Sequence, residues 1–152
     1  MMTLSPNDIH FVIDAERGRL KCYVYGGALR WTVPARCYGA NGGQDAIGGD
    51  TPGGLYRMGT PERIPDTDPD INAFGRWFVD LVEQQDQERS RGRAGIGFHG
   101  GGSGLAAPLA PYQGWQVTHG CVRLQNADLQ RAVDSILYTQ KHGGTAWLTV
   151  VW

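Results

Sequence analysis

Two stretches of the chain concentrate side chains able to do chemistry. His99 runs into a glycine-rich stretch, Gly100-Gly-Gly-Ser-Gly104, and an eighteen-residue spacer (100–117) separates it from Thr118-His-Gly-Cys-Val-Arg123. A cysteine has a free pKa of about 8.5, so it becomes a thiolate near neutrality only with help from a nearby imidazole. Glycines beside both residues let backbone N–H groups approach a reacting carbonyl, as an oxyanion hole requires. The bland alternative is a small buried Cys121 and a hydrogen-bonded core His119, since buried cysteine is common.

Other motifs fail on their own terms. Gly95-Ile-Gly-Phe-His-Gly100 fits G-x-G-x-x-G, but more glycines follow it and position 120 is Gly, where a dinucleotide site needs a helix and an acidic residue. His119 and Cys121 are two apart with no C-x-x-C or H-E-x-x-H nearby, so no metal is expected. Asp66-x-Asp-x-Asp70 resembles a calcium loop, but Ile71 and Trp77 stand where Gly and Glu belong, leaving a solvated loop.

The 152 residues amount to one domain, 1–152, and the net charge of -1 argues against a nucleic-acid partner. Gly is 23 of 152, which points to a turn-rich β protein with a backbone-lined site. Three cysteines allow at most one disulfide, and no apolar run approaches the ~18 residues of a membrane span.

The elements that must position the chemistry follow from hydrophobic patterning. Ile9–Asp14, Leu20–Tyr25 and Leu29–Tyr38 read as a β-meander, with Gly26-Gly27 as a two-residue hairpin turn. Residues 39–54 form a loop, Leu55–Gly59 a strand, and the Pro- and Asp-rich 61–70 a surface loop. Phe74–Val82 reads as a strand, Glu83–Arg93 as an exposed polar loop, and Ala94–Phe98 as a strand running into His99. Asn126 is expected to cap a helix over 127–140, with Leu129, Val133, Ile136 and Leu137 on its buried face. Gly143-Gly144 stops it, and Thr145–Trp152 is a final buried strand. The expected fold is mainly β, a sandwich-like twisted sheet with one substantial helix.

His99-Gly100, the spacer and Thr118-His-Gly-Cys-Val-Arg123 resemble the signature of the L,D-transpeptidase (YkuD-like) catalytic domain. Asp50-Thr-Pro-Gly-Gly-Leu-Tyr56 is similar to that family's Thr-Pro-x-Gly-x-Phe/Tyr segment, and the meander to its opening strands. The spacer is slightly longer than the family's usual one. The resemblance implies Cys121 as nucleophile, His99 as general base and the Gly100 carbonyl as the group orienting the imidazole. It also implies an oxyanion held by the Gly120 and Cys121 N–H groups, in a pocket lined by Thr118, His119 and Arg123. Arg123 is a candidate for a substrate carboxylate, with loop bracing as its equal rival. Cys22 and Cys37 match no catalytic position and read as structural.

The implied reaction is attack of Cys121 on a peptidoglycan stem peptide, giving a thioester and free D-Ala. The acyl group then passes to an amine or to water, and no cofactor is required. The alternative from another class is a catalytically idle module that binds stem peptides. A cysteine protease of the papain or caspase type lacks the expected local sequences. Met1–His10 shows no basic and apolar leader, which leaves three alternatives: the protein stays inside, a leader has been removed, or it leaves by another route, with a secretion apparatus or an immunity partner as candidates. Action in the periplasm or on the wall is the expectation, by an export route the sequence does not give.

Overall fold

A computed structural model describes residues 2–152. Strands β1 (Ile9–Asp14), β2 (Arg19–Val24) and β3 (Ala28–Arg36) form the antiparallel meander. Alternation drives it: Ile9, Phe11, Ile13, Leu20 and Cys22 are buried in the core while their neighbours face outward. The β2–β3 turn holds three residues, Tyr25–Gly27, rather than two. A bulge follows: Cys22 pairs with Trp31 and Tyr23 with Leu29, leaving Arg30 as the extra residue.

The remaining strands are β4 (Gly54–Met58), β5 (Glu62–Arg63), β6 (Trp77–Glu83), β7 (Gly97–His99), β8 (Val122–Leu124) and β9 (Ala146–Val151). Their order is β4-β9-β1-β2-β3-β8-β7-β6-β5, and β4 also pairs with β6, so the sheet closes on itself. Closure satisfies backbone groups that an open sheet would leave along its edges. The interior is filled by Phe11, Tyr56, Val79, Phe98, Val122 and Leu148, none of them exposed.

Helix α1 is one turn, Ile71–Phe74, ending on the first residue of the stretch expected to be strand; the strand begins only at Trp77. Helix α2 spans Asn126–Lys141 and packs on β1, β6 and β9 through Leu129, Ala132, Val133 and Ile136. Leu137, expected on that face, is exposed at its edge, and Thr139 is buried instead. Gln125, not Asn126, occupies the cap position, and no side chain caps the helix.

The expected exposed loop 83–93 also departs from its reading. Gln87, Glu88 and Arg93 are all buried. β7 starts later than expected because the Ile96 N–H turns to the Glu88 carboxylate, at 3.3 Å, rather than to a strand.

Candidate active site

β7 and β8 are parallel neighbours, so the chain must cross over one face of the sheet between them. That crossover is the glycine-rich segment 100–121. Phe98, Val122 and Leu124 point into the core. By alternation Gly97, His99 and Arg123, with Cys121 just ahead of β8, face the crossover. His99 pairs in register with Arg123, which makes Cys121 its diagonal neighbour on the same face.

His99 is held tightly, with 2% of its surface exposed. Phe78, its partner on β6, stacks on the imidazole at 5.7 Å, and Phe74 meets it edge-on at 4.9 Å. Nδ1 lies 2.8 Å from the Gly100 carbonyl. A carbonyl only accepts, so Nδ1 carries the hydrogen and Nε2 presents its lone pair. Burial pushes the His99 pKa down to about 4, the nearby Arg123 charge lowers it further, and the Gly100 bond opposes the shift.

The Cys121 sulfur accepts the Gly97 N–H at 3.3 Å. Burial raises its pKa, and the Gly97 N–H and the Arg123 charge only partly offset that. Both shifts favour the neutral thiol and the neutral imidazole over their charged forms. No hydrogen bond joins the two side chains among the described residues. Gly97 has no room for a side chain, since a Cβ there would lie 2.2 Å from the Phe78 ring.

Thr118 shapes the turn that carries Cys121. Its hydroxyl donates to the Cys121 carbonyl at 2.7 Å and accepts the Gly120 N–H at 3.1 Å. The Gly120 N–H expected for the oxyanion is thus occupied within the turn, and of the two expected donors only that of Cys121 remains. Gly120 adopts a φ of +124°, and a Cβ there would meet the Arg93 guanidinium at 2.2 Å.

Arg123 does not present its charge to the cleft. It is buried, with Nε donating to the Gly100 carbonyl at 3.2 Å and the rest of the guanidinium bonded to Ala73 and Gln116 carbonyls. The geometry corrects the carboxylate-binding expectation in favour of loop bracing. His119 is exposed and lines a separate depression with Asn41, Ile47, Gly48 and Ala94, apart from His99.

Three positioning residues escaped sequence reasoning. Thr51 donates its hydroxyl to the Gly120 carbonyl at 2.7 Å, tying the Thr-Pro segment to the turn. Arg93 bonds the Gly49 carbonyl at 2.9 Å and the His119 carbonyl at 3.3 Å, and nothing in sequence sets it apart from Arg89 or Arg91. Asn126, read as a helix cap, instead pins the crossover. It accepts the Gly101 N–H at 3.0 Å and donates to the Pro108 and Ala110 carbonyls at 2.8 and 2.7 Å.

Solved structures share this architecture. Bdellovibrio bacteriovorus Bd1075 is similar with a TM-score of 0.68 and 18% identity, over 97% of this chain and 48% of that one. The helical cell shape determining protein Pgp2 of Campylobacter jejuni gives 0.63 and 18%, over 97% and 49%. Mycobacterium tuberculosis L,D-transpeptidase 1 gives 0.52 and 15%, over 95% and 62%. The chain thus spans about half to three fifths of these longer chains, and at such identities the likeness shows the fold alone. No curated protein matches the chain. The family model for the L,D-transpeptidase catalytic domain, YkuD, matches residues 8–143. With that match over most of its length, the chain belongs to the YkuD family of L,D-transpeptidase catalytic domains.

Proposed function

We propose that the chain is a cysteine-nucleophile acyltransferase acting on peptidoglycan stem peptides, with an L,D-carboxypeptidase activity when water is the acceptor. One observation carries the reading. A fixed imidazole with an unpaired Nε2 and a thiol lie diagonal on one sheet face, under a crossover that shields them. Family membership and the wall chemistry of that family support the substrate class.

In the proposed reaction His99 Nε2 takes the Cys121 proton as the sulfur attacks the scissile carbonyl carbon. The negative charge moves to the carbonyl oxygen, where the Cys121 N–H meets it. Collapse forms the thioester and breaks the C–N bond, and the imidazolium returns the proton to the departing amine of D-Ala. An acceptor amine or water, deprotonated by His99, then attacks the thioester and releases the thiol. Because both shifts favour the neutral forms, proton transfer accompanies attack rather than preceding it. The Gly100 carbonyl fills the third-group role, holding the tautomer.

The test is incubation with purified tetrapeptide stems and mass spectrometry. D-Ala loss alone denotes hydrolysis, and mass-doubled products denote transfer. Cys121→Ala is expected to abolish both while the circular dichroism spectrum stays unchanged. Binding of stems by the wild-type chain with no turnover would instead leave the idle stem-binding module.

A further inference from the structure

Arg123, the cation expected to read a substrate carboxylate, spends its guanidinium on backbone carbonyls. Its register partner across β3 and β8 is Arg36, whose side chain leaves the same outer face. Arg36 is half-buried, and among the described residues its guanidinium donates no hydrogen bond and forms no ion pair. Its guanidinium carbon lies over the Trp115 ring, 4.5 Å from the centroid, and Nη1 packs against Gly18. A guanidinium held over an aromatic face with N–H groups not committed to protein acceptors can take a carboxylate through charge-assisted bonds.

Arg36 and Trp115 line a groove with Tyr38, Gln116 and Val117. The wall made by 115–117 leads directly into the Thr118–Cys121 turn. The Arg123 bond to the Gln116 carbonyl fixes that wall to β8. Cys121 lies two positions before Arg123, so Arg36 stands diagonal to it, at a backbone separation of about 7–8 Å. An extended peptide advances about 3.5 Å per residue, so a carboxylate about two to three residues from the thiol reaches the guanidinium. Tyr38 and Val117, exposed at the rim, offer apolar contact to the chain between.

We propose that this groove binds the acyl-donor peptide and that Arg36 is its carboxylate-reading specificity residue. The inference rests on the proposed stem-peptide reading and assigns that peptide's anionic group to Arg36.

The experiment measures equilibrium binding of synthetic tetrapeptide stems by calorimetry. It uses the full chain carrying Cys121→Ala, alone and combined with Arg36→Gln or Arg36→Lys. The peptides are the free acid and forms with each carboxylate converted singly to an amide. Loss of a charge-assisted pair is expected to raise Kd about ten- to a hundredfold in Arg36→Gln, with partial rescue by Arg36→Lys. One particular amide should bind the Arg36-containing protein as weakly as Arg36→Gln binds the acid, and should lose nothing further in Arg36→Gln. Unchanged Kd for Arg36→Gln, or equal losses for every amide, would overturn the assignment. D-Ala release by the wild-type chain is scored separately. Turnover with an indifferent Arg36 sinks this inference alone, whereas no binding of any stem sinks the stem-peptide reading with it.

Discussion

With two aromatic rings against it and a carbonyl on Nδ1, the His99 imidazole is built to remain neutral. Its pKa is pushed down to about 4 from the ordinary 6.5 of a free imidazole, so the unfolded chain binds this proton more readily than the folded one. Stability from the neutral form is therefore fully present above pH 6.5 and is lost as pH falls toward 4. The full loss is about 3 kcal/mol. Urea midpoints followed from pH 7 to 4 should fall more steeply for the wild type than for His99→Gln. The same shift extends catalysis to lower pH. The acid limb of kcat/KM should lie well below 6.5, and a limb at 6.5 would mean that burial does not govern the base. His99→Ala should cost more than the ~10²–10⁴ of ordinary proton-transfer assistance, because thiol activation is lost as well. Retained activity in that variant, with loss in His119→Ala, would reassign the base.

The element that matters most is the crossover between β7 and β8, which has almost no regular structure of its own. Polar side chains hold it in place. Asn126 bonds three of its backbone groups, and Gln113 donates to the Gly101 and Leu124 carbonyls at 3.1 and 3.0 Å. A loop of this length would otherwise sample many conformations, at a cost to the geometry of any site beneath it. Asn126→Ala removes three bonds while leaving a good helix former at the start of α2. It is expected to cost about 1–3 kcal/mol in unfolding free energy and to lower kcat/KM more than tenfold. Hydrogen exchange checks the mechanism. The Gly101 amide should lose protection while amides in β1 and β2 keep theirs, and uniform loss would mean global destabilisation instead.

At the scale of the whole molecule, closure of the sheet seals two thiols away from the site. Cys22 and Cys37 are free and buried, and burial pushes their pKa values up to about 11 and about 12. Cys121 is half-buried at the mouth of the crossover. Thiol reagents at pH 8 should therefore modify Cys121 alone in the folded protein, and all three in urea. The Cys22→Ala/Cys37→Ala double variant should lose stability through lost packing, lowering Tm by several degrees, while kcat/KM stays within twofold. A folded but inactive double variant would place one of these thiols in the chemistry.

Local pattern alone determined the meander and the helix. Alternation at Ile9, Phe11 and Ile13, and the 3.6-residue spacing of Leu129, Val133 and Ile136, are consequences of backbone geometry that no distant contact needs to enforce. The reactive residue types were legible too, because His99-Gly100 and Thr118-His-Gly-Cys-Val-Arg123 are contiguous strings that resemble one family. What those side chains face was not legible. Arg89, Arg91 and Arg93 look alike in sequence, yet only Arg93 is buried, because residues 44–50 fold back over it. Asn126 reads as a cap until the crossover arrives to claim its amide, and Arg123 reads as a substrate ligand until carbonyls from Ala73 to Gln116 surround it. The protonation of His99 and Cys121 belongs to the same class, since it depends on how much water the closed sheet and crossover exclude. Residue type and spacing are properties of neighbours in the chain, whereas burial and hydrogen-bond partners are properties of neighbours in space, and those only the tertiary structure decided.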